Sequence, residues 1–362
     1  MGMQIEALQA DEGDALLITL EGDVPRTILI DGGLARTGEA IAQIFRDRGV
    51  VKLDLLIVTH IDRDHIEGIL KLLDELPASM LTVDQIWFNG YRHLRATPPN
   101  PGELGEHGAL MGNRLESSIY ARSIPWNKAF SHGPAARNGK TFPVMWFSDT
   151  SRITLIGPTT LQLEALAPSW EKECEKAGIV PGQPPAISDS TLVQHSSSGE
   201  FDFDALASAE FKNDHALANL SSIVVLIEHG AAVALFGGDA CARSLTSALE
   251  ELAAERGAPL HVDLFKVPHH GSASNLSMEL LTSLQCTNYV ISSSGARFGH
   301  PDDETLARIV AHHRALGGPL PTIWFNYLSA RTRPWCDQDR KSSLGYEVVV
   351  PEGTGSVTAR LG

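Results

Sequence analysis

The chain has 362 residues, of which 43% are apolar, so it can bury a large core and is not an intrinsically disordered protein. Its formal net charge of −15 argues against a broad basic face for duplex nucleic acid or for an anionic membrane. The same charge is compatible with carboxylates gathered around metal ions, because bound cations reverse the local sign.

Four cysteines are scattered along the chain without a C-x-x-C pair, which excludes a zinc knuckle and a thioredoxin-like motif. The first residues show no basic stretch followed by an apolar core, so no signal peptide is predicted. The longest apolar runs have the length of a strand rather than of a membrane span. We therefore expect a cytoplasmic protein with no membrane partner.

Apolar periodicity predicts the elements in chain order. In the first part of the chain it indicates strands over residues 15–20, 27–30 and 53–59, followed by a helix over 66–76. The second half repeats this pattern with predicted strands over 222–228, 231–236, 264–267 and 289–292, and predicted helices over 242–256, 277–284 and 302–316. Paired strands with helices between and outside them are typical of a layered α/β protein.

The middle of the chain differs in composition. Proline, glycine and serine are frequent over residues 89–138 and 181–198, which is typical of surface loops. We therefore predict one domain over residues 1–362, with insertions at about 89–150 and 157–218. Long loops over a rigid scaffold often face the substrate.

A dense group of potential metal ligands follows the predicted strand that ends at residue 59. The segment His60-Ile61-Asp62-Arg63-Asp64-His65 offers four such side chains within six residues. Imidazole and carboxylate ligands suit zinc, manganese or iron. The alternative is a polar turn in which Asp62 or Asp64 caps the following helix.

Three later motifs also lie where a predicted strand passes into a loop. They are Gly237-Gly238-Asp239, Val267-Pro268-His269-His270-Gly271-Ser272 and Phe298-Gly299-His300-Pro301. Each alone is a weak signal, but strand ends meet at one edge of a sheet sandwich. All four motifs together therefore indicate a single site.

This set of motifs resembles the metallo-β-lactamase superfamily, whose signature is H-x-H-x-D-H after a strand, with a later bridging Asp and a final His. Among its members the chain is most similar to the soluble ComEC-like domains. The resemblance covers about residues 4–75 and 219–330, and it implies a four-layer αββα sandwich. Its further landmarks here are Gly13-Asp14-Ala15, Asp31-Gly32-Gly33, Asn219-Leu220-Ser221-Ser222, Gly238-Asp239-Ala240, Lys266 to Ser272 and Gly299-His300-Pro301.

The resemblance implies one or two divalent ions, zinc or manganese. The first site would comprise His60, Asp62 and Asp239, completed by Asn219 or water. The second would comprise Asp64, His65, Asp239 and His270. The chain departs from the signature at Asp62, which stands in place of a histidine, and a further histidine is missing near Asn219; an aspartate favours a harder ion such as manganese. Lys266 and Asp31 are further candidate site residues.

The ComEC-like resemblance implies nuclease or phosphodiesterase chemistry on a nucleotide or nucleic-acid substrate. Asp64 would help to orient the nucleophile. His269 and His300 are candidates to contact a phosphate oxygen or to protonate the leaving group. Several aromatic side chains are candidates to stack the bases of a single strand, with core packing as the alternative: Trp87, Phe88, Tyr91, Trp126, Trp324, Phe325, Tyr327 and Trp335.

Two other functions remain open at this level. The same activated water would serve a lactone, thioester or amide hydrolase. A degenerate fold with a structural metal would instead act as a binding or sensing module with a protein partner. Association with a partner or as a homo-oligomer is compatible with either function.

Overall fold

The computed structural model describes residues 2–94, 108–177, 201–353 and 355–362. Its strands are β1 (Met3–Ala7), β2 (Leu16–Leu20), β3 (Arg26–Ile30), β4 (Lys52–Leu53), β5 (Leu55–Ile57), β6 (Thr82–Val83), β7 (Ile86–Trp87), β8 (Val144–Ser148), β9 (Ser151–Gly157), β10 (Val224–His229), β11 (Ala232–Phe236), β12 (Leu264–Lys266), β13 (Asn288–Ile291), β14 (Thr322–Phe325), β15 (Glu347–Val349) and β16 (Val357–Leu361). Its α-helices are α1 (Ala35–Arg48), α2 (Arg63–Glu75), α3 (Gly108–Ala121), α4 (Thr160–Ala177), α5 (Phe203–Ala207), α6 (Leu217–Leu220), α7 (Ala242–Arg256), α8 (Met278–Thr282), α9 (Asp303–Leu316) and α10 (Gln338–Leu344). Short 3-10 turns lie at Tyr91–His93, Lys128–Phe130, His269–Gly271 and Arg333–Cys336.

Of the strands described, 14 form two large mixed sheets, and β4 and β6 form a separate two-stranded sheet. The first sheet has the order β16-β1-β2-β3-β5-β7, and the second has the order β15-β14-β13-β12-β11-β10-β9-β8. In the first sheet β3, β5 and β7 run parallel, and in the second β11 to β15 run parallel. Parallel neighbours bring their carboxyl ends to one edge, where loops can supply a site.

Alternation along the strands divides the core into three layers of side chains. In β5, Leu55 and Ile57 face the second sheet, whereas Leu56 packs beneath helices on the opposite face. In β12, Leu264 faces the first sheet and Phe265 packs against the helices outside the second sheet. Because both faces of each sheet are covered, the strands read as continuous apolar runs.

Helices cover the outer face of each sheet. On the first sheet lie α1 to α4, which contribute Ile41, Phe45, Ile66, Ile69, Leu115, Ile119, Leu163 and Trp170 to the core. On the second sheet lie α7 to α9, which contribute Leu245, Leu249, Leu280, Leu306 and Val310. The order helix, sheet, sheet, helix confirms the predicted four-layer αββα sandwich.

Two predicted boundaries differ from the structure for local reasons. The predicted strand over 53–59 is divided into β4 and β5, because Asp54 between them turns its carboxylate to the backbone N–H of Thr27, at 2.9 Å, and to Arg26. The predicted helix over 66–76 begins earlier, at Arg63, so that Asp64 and His65 belong to its first turn.

The ranges predicted as insertions contain regular structure. β8 extends the second sheet by pairing with β9, and α3 and α4 pack on the first. Residues 95–107 and 178–200 lie outside the described part of the chain, and the single-domain organisation stays a prediction. Among the described residues no helix combines the length and the apolar character needed to cross a bilayer.

Candidate metal centre

The side chains of the four motifs converge at the edge where the parallel strands end. His60 follows β5, Asp239 follows β11, and the His269-His270 pair follows β12. Both histidines of the pair adopt the left-handed backbone region, with φ of 47° and 54°, which is strained for residues other than glycine. Strain of this kind collects where the surrounding structure fixes a functional geometry.

One carboxylate oxygen lies at the centre of this group. Asp239 Oδ2 is 3.4 Å from the Nε2 atoms of both His65 and His270. It is 3.9 Å from the Nε2 atoms of His60 and His269. Ligand atoms bound at about 2.1 Å to one tetrahedral zinc ion lie about 3.4 Å apart, so these separations suit shared metal ligands.

His65 and His270 form one half of the centre together with Asp64. Their Nε2 atoms are 3.3 Å apart, and His270 Nε2 is 3.5 Å from Asp64 Oδ2. Each imidazole is held from behind: His65 Nδ1 donates to Asp31 at 2.8 Å, and His270 Nδ1 donates to the Ser292 carbonyl at 3.1 Å. A proton held on Nδ1 leaves the Nε2 lone pair free for a metal.

We assign His60 and His269, the two imidazoles at 3.9 Å from the central oxygen, to the other half of the centre, and hydrogen bonds at Nδ1 orient both rings. The Thr59 hydroxyl donates to Asp31 at 2.6 Å and accepts from His60 Nδ1 at 3.0 Å. His269 Nδ1 donates to Asn275 Oδ1 at 2.9 Å. Both Nε2 lone pairs therefore face the carboxylate of the central aspartate.

Asp62 lies at the open side of this second half. Its Oδ2 is 3.5 Å from His60 Nε2, and 45% of its side chain is exposed. Asp62 occupies the N-cap position of α2, yet its side chain accepts no capping hydrogen bond. The Asp62 carboxylate therefore does not cap the helix, and it is available to bind a metal ion.

Four polar atoms in this region are buried without a hydrogen-bond partner in the described part of the chain. His60 Nε2 and Asp239 Oδ1 lie at the centre, and Asp14 Oδ1 and Asn219 Oδ1 lie beside it. Leaving such atoms unpaired costs free energy, which a cation between the two central atoms would offset for that pair. The donor set, the separations and these orphaned atoms together fit divalent metal ions.

Asp14 and Lys266 lie beneath the centre. Asp14, His65, Asp239 and His270 form a buried group whose potential ligand atoms are all within 4.8 Å of one another. Asp14 nevertheless forms an ion pair with Lys266, and its Oδ1 is 3.4 Å from His270 Nδ1, on the far side of that ring from Nε2. We therefore interpret Asp14 as an outer carboxylate that orients the ring.

Lys266 is fully buried in this pair, so it is out of reach of a substrate. Asp14 was not among the residues predicted for the site. Its only signal in the sequence was the Gly13-Asp14-Ala15 motif, since its partners lie more than 250 positions away. A side chain at Gly13 would stand 1.8 Å from the Asp64 carbonyl, so a glycine there lets the two loops meet.

Asn219 stands behind His269 rather than beside the central carboxylate. Its Nδ2 donates to Asp214 at 2.6 Å and is 3.4 Å from His269 Nδ1. Asp214 and Asn275, which no sequence motif indicated, complete the support of this ring. Burial opposes ionisation of Asp214, but contact with His269 and the other hydrogen bonds lowers its pKa.

His300 lies at the rim. Its Nδ1 is 3.3 Å from Asp302 Oδ1, its ring centroid is 5.5 Å from that of His269, and 15% of its side chain is exposed. A group in this position can reach a substrate that His65 and His270 cannot. The predicted role of His300 toward a leaving group stays a prediction.

Six of the eight aromatic side chains considered for base stacking are core residues. Trp87, Phe88, Phe325 and Trp335 are at most 1% exposed, and Tyr91 and Trp126 are also buried. The prediction that bases stack on these six rings is wrong, because no nucleotide can reach them. Their apolar area stabilises the core instead. Trp324 and Tyr327 are half-buried, and for them base stacking stays a prediction.

Replacing Asp31 by asparagine is expected to weaken metal binding by about 10- to 100-fold, because Asp31 orients both His65 and, through Thr59, His60. Titration with Mn²⁺ under a competing chelator measures the change. The exposed Asp47→Asn is the matched control and should leave the affinity unchanged. If Asp31→Asn bound Mn²⁺ as tightly as the parent chain, the Asp31 carboxylate would not support the metal centre.

The metal-free chain is expected to lose stability as the pH rises above about 6.5. Burial opposes charge on His65, but Asp239 and Asp31 raise its pKa well above 6.5, and Asp239 and Asp14 do the same for the pKa of His270. A group whose pKa is higher in the folded chain than in the unfolded chain stabilises the fold at a pH below its unfolded pKa. This stabilisation is lost as the pH rises through the folded pKa.

Thermal unfolding with EDTA and with Mn²⁺, from about pH 6 to about pH 9, checks this prediction. The midpoint should fall with rising pH in EDTA. When Mn²⁺ is bound, the ion replaces the protons on His65 and His270, so the midpoint should no longer fall as the pH rises. A midpoint in EDTA that rises through this range would contradict the proton assignment.

No protein-family model matches the sequence, and no curated protein matches it. Solved structures of similar shape include YhfI, a metallo-β-lactamase fold protein from Bacillus subtilis, at 11% identity and a TM-score of 0.43, covering 99% of this chain and 100% of that chain. A diphosphatase from the PhnP family matches at 9% identity and a TM-score of 0.42, covering 100% of this chain and 98% of that one.

A third similar structure is CmlA, a diiron β-hydroxylase from Streptomyces venezuelae, at 11% identity and a TM-score of 0.41 over 99% of this chain. This chain spans about half of the hydroxylase, 54% of its length. Similarities this weak carry no conclusion about activity. The ComEC-like subfamily stays a prediction.

Proposed function

We propose that the chain is a hydrolase that uses divalent metal ions to cleave phosphodiesters of nucleotides or nucleic acids. The observation that carries the proposal is the set of four imidazole Nε2 atoms within 3.9 Å of one oxygen of Asp239. A structural metal site needs only four ligands. Four histidines around a shared carboxylate, with two more carboxylates beside them, are enough for two ions.

The ligands fall into two groups that share Asp239. Asp64, His65 and His270 would hold one ion, as the resemblance implies. His60, Asp62 and His269 would hold the other, with His269 in the place expected for Asn219. The carboxylate content favours a harder ion such as Mn²⁺, although Zn²⁺ suits the imidazoles.

Bound divalent ions supply Lewis acidity and lower the pKa of a water molecule. The chain's own residues prepare that chemistry. Asp31 and the Ser292 carbonyl hold the buried imidazoles in one tautomer. Asp62, on the exposed side, meets the substrate first. His300, whose Nδ1 faces Asp302, would contact a phosphate oxygen or the leaving oxygen.

The phosphodiester class rests on the donor set and on the resemblance to ComEC-like domains. The carboxylates of Asp62, Asp64 and Asp239 lie beside the imidazoles, and the charge of Lys266 is paired with Asp14. These carboxylates repel an anion, so an anionic substrate would bind only when cations occupy the centre. Lactone, thioester or amide hydrolysis and a sensing role are the competing outcomes.

Turnover assays of the metal-loaded chain separate these functions. The chain loaded with Mn²⁺ or Zn²⁺ should hydrolyse bis-p-nitrophenyl phosphate and leave a thioester and a lactone intact. Asp64→Ala should lose this activity, whereas the exposed Asp47→Asn should retain it. Turnover of the lactone or thioester alone would replace the proposal, and metal binding without any turnover would favour a sensing module.

A further inference from the structure

A cavity of about 850 Å³ borders the loop that carries Asp239. Its walls include Ala240 and Cys241, which directly follow Asp239, and Ser222, whose hydroxyl accepts the Asp239 backbone N–H at 3.3 Å. None of the candidate metal ligands lines it. The cavity is thus a neighbour of the metal centre rather than a part of it.

The charged side chains that line the cavity are mainly cationic. They are Arg137, Lys140 and Arg243, against a single carboxylate from Glu251. Glu251 Oε2 is 2.9 Å from Arg137 Nη1, so it neutralises one of the three. A surplus of two positive charges in one cavity is unusual in a chain with a net charge of −15. This surplus favours an anionic ligand.

The 15-residue helix α7 adds to this positive potential. It begins at the cavity, where Cys241 is the N-cap residue but gives no side-chain hydrogen bond, and its first turn contains no acidic residue. Ser244, in that first turn, also lines the cavity. The Arg243 backbone N–H donates to Asn213 Oδ1 at 3.2 Å, but the positive end of the helix dipole meets no anionic side chain from the helix itself.

Arg137 supplies an independent observation. It is 5% exposed, and its Nε has no hydrogen-bond partner in the described part of the chain. Its guanidinium carbon lies 4.4 Å from the centroid of the Phe142 ring, which fixes the plane of the group. A buried guanidinium with a donor to spare is suited to a phosphoryl oxygen.

The remaining walls are apolar. Ile156, Val224, Leu245 and Ala248 line the cavity beside the cations. A simple inorganic anion would leave this surface unused. The cavity volume suits a small organic molecule.

We propose that this cavity binds a phosphate monoester of about nucleotide size. Its phosphoryl group lies between Arg137, Arg243 and the first turn of α7, and its organic part packs against Ile156 and Leu245. The site does not depend on hydrolysis at the metal centre. Its wall is continuous with the loop that holds Asp239.

Calorimetric titration of the full-length chain with phenyl phosphate tests the proposal. Metal is first removed with EDTA, so that ions at Asp239 do not capture the phosphate. Saturable binding is expected, with Arg243→Gln and Lys140→Gln each weakening it by about tenfold or more. Arg256→Gln, the same change at the opposite end of α7, is the matched control and should bind normally.

Arg137→Met should weaken binding most, but this residue is buried and the variant must first be shown to fold by circular dichroism. The exposed Arg243 and Lys140 keep the test decisive if it does not fold. His269→Gln, which removes the most accessible histidine of the metal centre, should leave binding intact.

No saturable binding of phenyl phosphate, or equal binding by Arg243→Gln, would overturn the site. Binding that is lost in His269→Gln but kept in Arg243→Gln would place the phosphate at the metal centre instead. Inorganic phosphate should bind more weakly than phenyl phosphate, and equal affinity would overturn the role of the apolar walls. These binding results are separate from any failure of the hydrolase proposal.

Discussion

Asp239→Asn is expected to lower hydrolysis of bis-p-nitrophenyl phosphate by more than about 100-fold, the upper range for loss of an outer supporting residue. Asp239 Oδ2 is the atom on which four imidazoles converge, and it would serve both ions. Asparagine keeps the shape but removes the charge. The bound metal content should fall together with the activity.

The backbone around residue 239 should tolerate this change, although the metal-free chain loses the stabilisation that the Asp239 charge gives to protonated His65 and His270. Asp239 Oδ1 has no hydrogen-bond partner in the described residues, and the backbone N–H bond to Ser222 does not involve the side chain. Circular dichroism and metal analysis of the same samples are therefore informative, with Asp47→Asn as the control. Activity within tenfold of the parent chain would contradict a bridging role.

Lys266→Met is expected to destabilise the chain by about 3–5 kcal/mol, the range for breaking a buried ion pair by removing one partner. Lys266 is 0% exposed and Asp14 is 1% exposed, so water cannot replace the lost ammonium group. Methionine fills much of the space of the lysine stem. Urea unfolding in EDTA measures the loss without a contribution from metal binding.

The double variant Asp14→Leu/Lys266→Met separates charge from packing. Removing both charges leaves no buried carboxylate without its partner, so the double variant should be more stable than Lys266→Met alone. Its metal affinity should remain reduced, because the support at His270 Nδ1 is also lost. Full stability in Lys266→Met would show that the pair does not hold Asp14 as an anion.

Most of the sheets could be predicted because both of their faces are buried. The runs that became β2, β3, β5, β10 and β11 are continuous apolar segments, and the facing helices carry apolar residues at helical spacing. The metal ligands could be predicted for a related reason. His60, Asp239 and His270 lie three or four residues after the ends of such strands, and parallel strand ends share one edge.

The contacts that orient the site could not be predicted. Asp14 meets Lys266 across 252 residues, and this contact depends on how the two sheets stack. The pairing of β1 with β16 joins the two ends of the chain in the same way. Apolar periodicity gives the face of a strand but not its partner.

The roles of the two adjacent histidines also needed the structure. In the sequence His269 and His270 are equivalent neighbours. Only the structure shows that His270 is buried with Nε2 3.4 Å from Asp239 Oδ2, whereas His269 is 28% exposed with Nε2 3.9 Å away. Asn275 and Asp214, which support His269, lie in loops without periodicity. Side chains that act from such loops leave no pattern in the sequence.

Anomalous X-ray diffraction from crystals of the full-length chain grown with Mn²⁺ tests the central claim most directly. We expect two manganese peaks that share the Asp239 carboxylate. One should contact Asp64, His65 and His270, and the other should contact His60, Asp62 and His269. Crystals with no peak at Asp239, or with ions bound only elsewhere on the chain, would contradict the two-ion centre.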